Sequence, residues 1–277
     1  MKTIFLILIP LLLSANIYDI SFIVLNNGKW KITVCKNKKC KILNTQEEPR
    51  TFDYDFIHDK IVYIASDKSV RLVVNGKEKK ILESNKDSYT DPLFVQSGKK
   101  IILVKLINGN SKNTKIISVN LDGKNEKTLV FQHSTALNPY SIYGKIIYYA
   151  NVSCVEGCGK IIQEIWEKDI VSGQAKQLTL LNTLSHQPSN YNNFIYFSSF
   201  NGKNYHIWQL NSKDGKIKQL TFGNVTDSFP CAYKDGVFFI RRINDEVNIM
   251  HLSKNKKLKK FTINLHYQKI RNLRIKK

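Results

Sequence analysis

Five cysteines, six histidines and a modest set of carboxylates are the side chains of this 277-residue chain most able to do chemistry. Cys35 and Cys40 flank Lys-Asn-Lys-Lys, a natural hairpin loop that would set the two sulfurs on facing positions of neighbouring strands. Cys154 and Cys158 flank Val-Glu-Gly in the same local way. Facing cysteines at strand ends fall within the Cα separation that a disulfide tolerates, and each bond would stabilise by roughly 2 kcal/mol. Metal or haem would ask for more. Haem attachment needs C-x-x-C-H and a zinc site needs a second ligand pair, whereas Gly159 follows Cys158 and no histidine is close by. Two local disulfides are therefore expected, with Cys231 left as a buried thiol that packs as a small hydrophobe. The sequence holds no G-x-S-x-G, no H-E-x-x-H and no Gly-rich phosphate loop. The remaining candidates, Asp91, His133, His186, Gln187 and Asp227, offer imidazole, amide and carboxylate groups. They could act together only if the fold gathers distant parts of the chain.

An internal repeat could gather them. Ile165-Trp166, Ile207-Trp208 and Ile249-Met250 recur at intervals of 42 residues, and the closing segments Lys176 to Thr179, Lys218 to Thr221 and Lys259 to Thr262 follow at 42 and 41. Upstream of each pair lies an aromatic or β-branched run, preceded by a proline seven residues before its first Ile or Val: Pro139, Pro188 and Pro230. Weaker copies extend towards the N-terminus, with onsets at Ile20, Ile61 and Ile101. Within a copy the pattern predicts an inner strand near the proline, a turn, an Ile/Tyr/Phe-rich strand, a hairpin and two outer strands. Asn201-Gly202 and Asp214-Gly215 read as type I′ hairpin turns. One such sheet buries too little alone, so six copies must pack face to face; closed into a ring, they form an all-β, six-bladed β-propeller of four-stranded antiparallel blades. Composition agrees: 33 Ile against 6 Ala is a strand-forming alphabet. The first copy begins at its second strand, so Lys269 to Ile275, which alternates apolar with polar, is expected to supply the missing innermost strand and close the ring. Trp166 and Trp208, equivalent in adjacent copies, read as packing between blades.

Residues 1–15 read as a secretory signal peptide: Lys2, the apolar run Thr3 to Leu13, then Ser14-Ala15. The run is shorter than the roughly 20 residues a membrane span needs, and no later segment could span one. Residues 16–277 are thus expected to form a single exported propeller, periplasmic or secreted, where disulfides persist.

The chain resembles the TolB-type β-propeller repeat family. That repeat runs as Pro, an aromatic two places on, Asp-Gly-Lys, a strand, Ile-Tyr or Ile-Trp, and a closing Gln-Leu-Thr. It is matched by Pro92, Phe94, Gly98 and Lys99; by Pro188, Ile207, Trp208, Gln219, Leu220 and Thr221; and by Asp227, Pro230, Asp235 and Gly236. The resemblance covers nearly all of the chain after the leader, and without the α/β domain that precedes the propeller in TolB itself. It implies a range of functions. TolB binds the lipoprotein Pal in the periplasm, other members are propeller domains of prolyl-oligopeptidase-like proteases, and others are oligogalacturonate lyases. A lyase of that kind would gather His and Gln at the channel mouth, where His133, His186 and Gln187 lie in loops before inner strands, with Asp91 and Asp227 beside or near the prolines.

Charge is the remaining signal. The 43 Lys+Arg against 22 Asp+Glu leave a formal net charge of +21, and the segment from Ser253 onward carries no acidic residue. Such a field favours anionic surfaces, although lysines on hairpin loops also make an ordinary solvated rim. Aromatics are not interleaved with the lysines as base stacking requires, so nucleic acid is not expected as a partner. The sequence therefore predicts a non-enzymatic scaffold that binds an envelope protein, without cofactor or metal. A propeller lyase or hydrolase, or a binder of anionic envelope surfaces, is the alternative.

Overall fold

The computed structural model describes residues 18–37, 39–131, 137–154, 159–263, 265 and 267–276; for residues 137–139, 153 and 154 it describes the backbone alone. The leader at 1–15, His133 and Cys158 lie outside the described residues, and so does the side chain of Cys154, so the second disulfide is not among the features described below. Six four-stranded antiparallel sheets surround a common axis. Blade 1 comprises three strands between Ile20 and Leu43 plus the strand Lys269–Ile275; blades 2 to 6 follow as residues 49–82, 88–131, 137–177, 185–219 and 226–260. No helix among the described residues is long and apolar enough to cross a membrane.

Among the described residues the buried apolar side chains divide into six clusters, one at each junction between neighbouring blades. Stability therefore comes from blade-on-blade stacking, as the insufficiency of a single small sheet requires. Trp166 packs where blades 3 and 4 meet and Trp208 where blades 4 and 5 meet, in line with the packing role expected for both. The closing Gln-Leu-Thr has a mechanical basis. Thr179 Oγ1 accepts the backbone N–H of Ile165 at 2.9 Å, and Thr221 Oγ1 that of Ile207 at 2.9 Å. Gln177 and Gln219 each donate to the carbonyl of the same threonine at 2.7 Å. Identical bonds in two blades are what a 42-residue spacing preserves.

The ring closes as expected. Lys269–Ile275 lies antiparallel to Ile20–Asn26, with Ile20 opposite Ile275 and Val24 opposite Ile270. A bulge at Asn272, whose φ is +54°, breaks the simple alternation. It lets Ile270, Leu273 and Ile275 all enter the cluster between blades 6 and 1. Cys35 stands opposite Cys40 in the hairpin ladder and the two are disulfide-bonded. The turns differ in one respect from expectation. Asn201-Gly202 and Asp214-Gly215 do sit in hairpin loops, but only the glycines have positive φ there; among the described residues the two-residue turns with positive φ at both positions are Asn27-Gly28 and Asn75-Gly76.

Candidate functional site

A register shift interrupts each innermost strand. In blades 3, 5 and 6 the residue before the proline, Asp91, Gln187 or Phe229, takes a positive φ near +50°, and Asn272 does so in blade 1. A left-handed residue adds one position to the strand, and the side chain two places on then faces the ring axis. That position is Leu93, Tyr140, Ser189 and Cys231, one place after Pro92, Pro139, Pro188 and Pro230. Asp53 and Arg274 occupy it in blades 2 and 1, so all six residues line one central cavity of about 370 Å³. The cavity opens on the face where the inner strands end, because residues just past those ends, Phe56, Ile57 and Ser97 among them, also line it.

Much of the polar chemistry around this cavity holds neighbouring blades together. Asp53 Oδ2 accepts the N–H of Phe94 at 2.8 Å and Thr51 Oγ1 that of Asp91 at 3.0 Å, which ties blade 2 to blade 3. Tyr140 donates to the Asp91 carbonyl at 3.0 Å, linking blades 4 and 3. Gln187 Oε1 accepts from Phe229 N at 2.8 Å and Ser189 Oγ from Ala232 N at 2.9 Å, linking blades 5 and 6. Cys231 Sγ lies 2.9 Å from the Leu273 carbonyl, and Arg271 donates to the Pro49 carbonyl at 3.0 Å, completing the links through blade 1 to blade 2. The partners are mostly 40 to 43 residues apart in sequence, one repeat length.

Asp53, Asp55, Asp91, Arg274 and Lys276 all line this space. Arg274 Nε lies 3.3 Å from Asp53 Oδ1, close enough for an ion pair but without hydrogen-bond alignment. Burial pushes the Asp53 carboxyl up to about 6, against the pull of Arg274 and of the Phe94 and Tyr54 amides. Burial likewise raises Asp91, whose carboxylate accepts from Thr90 Oγ1 at 3.0 Å. Enclosure and the two nearby carboxylates raise the Tyr140 phenol well above its ordinary range, so it stays a donor at any physiological pH. Among the described residues no three His, Cys, Asp or Glu side chains are grouped so as to hold a metal ion.

Of the residues singled out from sequence, Asp91 and Gln187 line the cavity. His186 and Asp227 do not. His186 sits edge-on against Tyr205, with ring centroids 4.8 Å apart, and its Nε2 has no hydrogen-bond partner among the described residues. Burial lowers its pKa to about 4, so it is neutral at pH 7. Asp227 is fully buried and forms a bidentate pair with Arg241 at 2.8 Å on both oxygens. Sequence reasoning missed Asp53, Tyr140 and Arg274. Reading the position after each proline would have found Tyr140, and the closure of the ring would have added Arg274.

No protein-family model matches the sequence, and no curated protein matches it. Solved structures do match in three dimensions. TolB from Acinetobacter baumannii superposes with a TM-score of 0.73 over 93% of this chain at 16% identity, and this chain spans 66% of that protein's length. A putative TolB from Agrobacterium tumefaciens gives 0.66 at 14% identity, with 88% of each chain covered. A chain of a nidogen/laminin complex gives 0.69 at 12% identity over 93% of this chain and 98% of that one. Taken with the strand order, these likenesses place the molecule's architecture: the chain folds as a TolB-like six-bladed β-propeller.

Proposed function

We propose that this chain is an exported, non-enzymatic scaffold that binds another protein of the cell envelope across the face on which the central cavity opens. The observation that carries this reading is the composition of that face. Ile57 is 75% exposed beside the opening, and Phe56, Leu93, Phe94 and Phe229 line the wall beneath it. Exposed apolar side chains grouped at the rim of a concavity mark surfaces used for interaction. The polar groups that could have served catalysis, Asp53 and Gln187 above all, are engaged by backbone amides of the next blade. The bond between Cys35 and Cys40 supports an oxidising compartment. The test is capture from envelope extract by the native chain and by Ile57→Asp. Capture of one protein by the native chain, lost in the variant, supports the reading; equal capture by both, or none by either, overturns it.

A second reading rests on the two carboxyls of raised pKa in one cavity, since perturbed acids are common at catalytic centres. It makes the chain a lyase or hydrolase of acidic polysaccharide. Turnover of polygalacturonate that disappears in both Asp53→Asn and Asp91→Asn would favour it over the scaffold.

A further inference from the structure

The cavity face is not evenly charged. Its sector over blades 6 and 1 carries Lys254, Lys256 and Lys257 on one hairpin loop, Lys234 on the adjoining loop, and Lys39 on the hairpin of blade 1, all exposed. These loops form one neighbourhood. The amide of Lys254 donates to the Asp235 carbonyl at 2.8 Å, and Asn37 N donates to Asp19 Oδ1 at 3.1 Å. The acids within the sector already have partners. Asp235 accepts from Tyr18 at 2.5 Å and lies 3.3 Å from His251, while Asp19 pairs with Lys276 at 3.4 Å. Lys39, Lys254, Lys256 and Lys257 form no ion pair among the described residues. Tyr18 packs edge-on in the same sector, against Phe238 at 4.7 Å and Tyr233 at 5.4 Å.

We infer that the lysine sector over blades 6 and 1 docks on an anionic lipid surface. Compact clusters of uncompensated lysines are drawn to anionic headgroups, at about 1 kcal/mol for each lysine held near the surface. The inference does not depend on which protein the cavity binds.

Vesicle flotation tests it with residues 16–277, which contain every strand of the six blades. The chain is expected to float with phosphatidylcholine vesicles doped with phosphatidylglycerol, to stay behind with pure phosphatidylcholine, and to release as salt rises. Lys254→Gln, Lys256→Gln and Lys257→Gln together should weaken binding on the order of 100-fold, from about fivefold for each lysine held near an anionic surface. The matching triple Lys176→Gln, Lys213→Gln and Lys218→Gln, on blades 4 and 5, should bind nearly as the native chain does. Unchanged melting of both triples excludes loss of fold, since all six lysines are exposed. No flotation at low salt, equal losses from the two triples, or binding to soluble polyglutamate without binding to vesicles would each overturn the inference.

Discussion

Removing the strand that closes the ring should abolish cooperative folding. Lys269–Ile275 contributes Ile270, Leu273 and Ile275 to the cluster between blades 6 and 1, with relative exposures of 4%, 0% and 8%. Each buried aliphatic side chain is worth about 1.5–3 kcal/mol, so their loss removes roughly 5–9 kcal/mol, before any allowance for the unpaired edge left at Ile20–Asn26. A domain has only about 5–15 kcal/mol in total. Deletion of residues 264–277 should therefore give a chain without a sigmoidal denaturant transition. Leu273→Ala provides the graded version: a fully buried leucine truncated to alanine costs about 2–5 kcal/mol, which lowers Tm by roughly 2–4 °C for each kcal/mol in a protein of this size. Circular dichroism melts and urea titrations measure both. A truncated chain that melts within the error of the native one would refute closure by the C-terminal strand. So would a native-like melt of Leu273→Ala.

Three further outcomes follow from particular contacts. Asp53 titrates near 6 in the fold and near 3.8 when exposed, so the folded state holds the extra proton between those values. Its contribution to stability is present at low pH and fades as pH rises through about 6, by roughly 3 kcal/mol; Asp53→Asn, which keeps an acceptor for Phe94, should flatten that part of the Tm profile, and an unchanged profile would count against the buried carboxyl. Cys35→Ser with Cys40→Ser should cost roughly 2 kcal/mol, and both thiols of the native chain should resist alkylation until reduced. Gly236 has φ +153°, and a Cβ there would meet the Leu252 carbonyl oxygen at 2.1 Å, so Gly236→Ala should lose more than about 1 kcal/mol in urea unfolding.

The repeat was legible because its bonds are periodic. Thr179 and Thr221 each accept an amide from the third strand of their own blade, and Thr51 and Gln187 each reach the next blade one repeat on. A side chain that must meet the same backbone atom in every copy keeps its spacing, and spacing is visible in a single sequence. The site was less legible for a reason of parity. An extra left-handed residue at Asp91, Gln187, Phe229 and Asn272 changes which neighbours face the axis. Gln187 therefore reaches the central space while His186, one place earlier, turns to Tyr205. Asp227 faces a neighbouring strand and is matched by Arg241, a partner that lies 14 residues away and shares no motif with it. Asp53, Tyr140 and Arg274 occupy equivalent positions with unrelated chemistry, so no residue pattern marks them as a set.

The seam has a consequence in time as well as in space. The strand that seals the first sheet follows every other blade in the sequence, so throughout synthesis the backbone of Ile20–Asn26 waits with one side unsatisfied. An open edge of that length recruits whatever strand is near. The nascent protein is thus most vulnerable to pairing with strangers just before its final residues arrive.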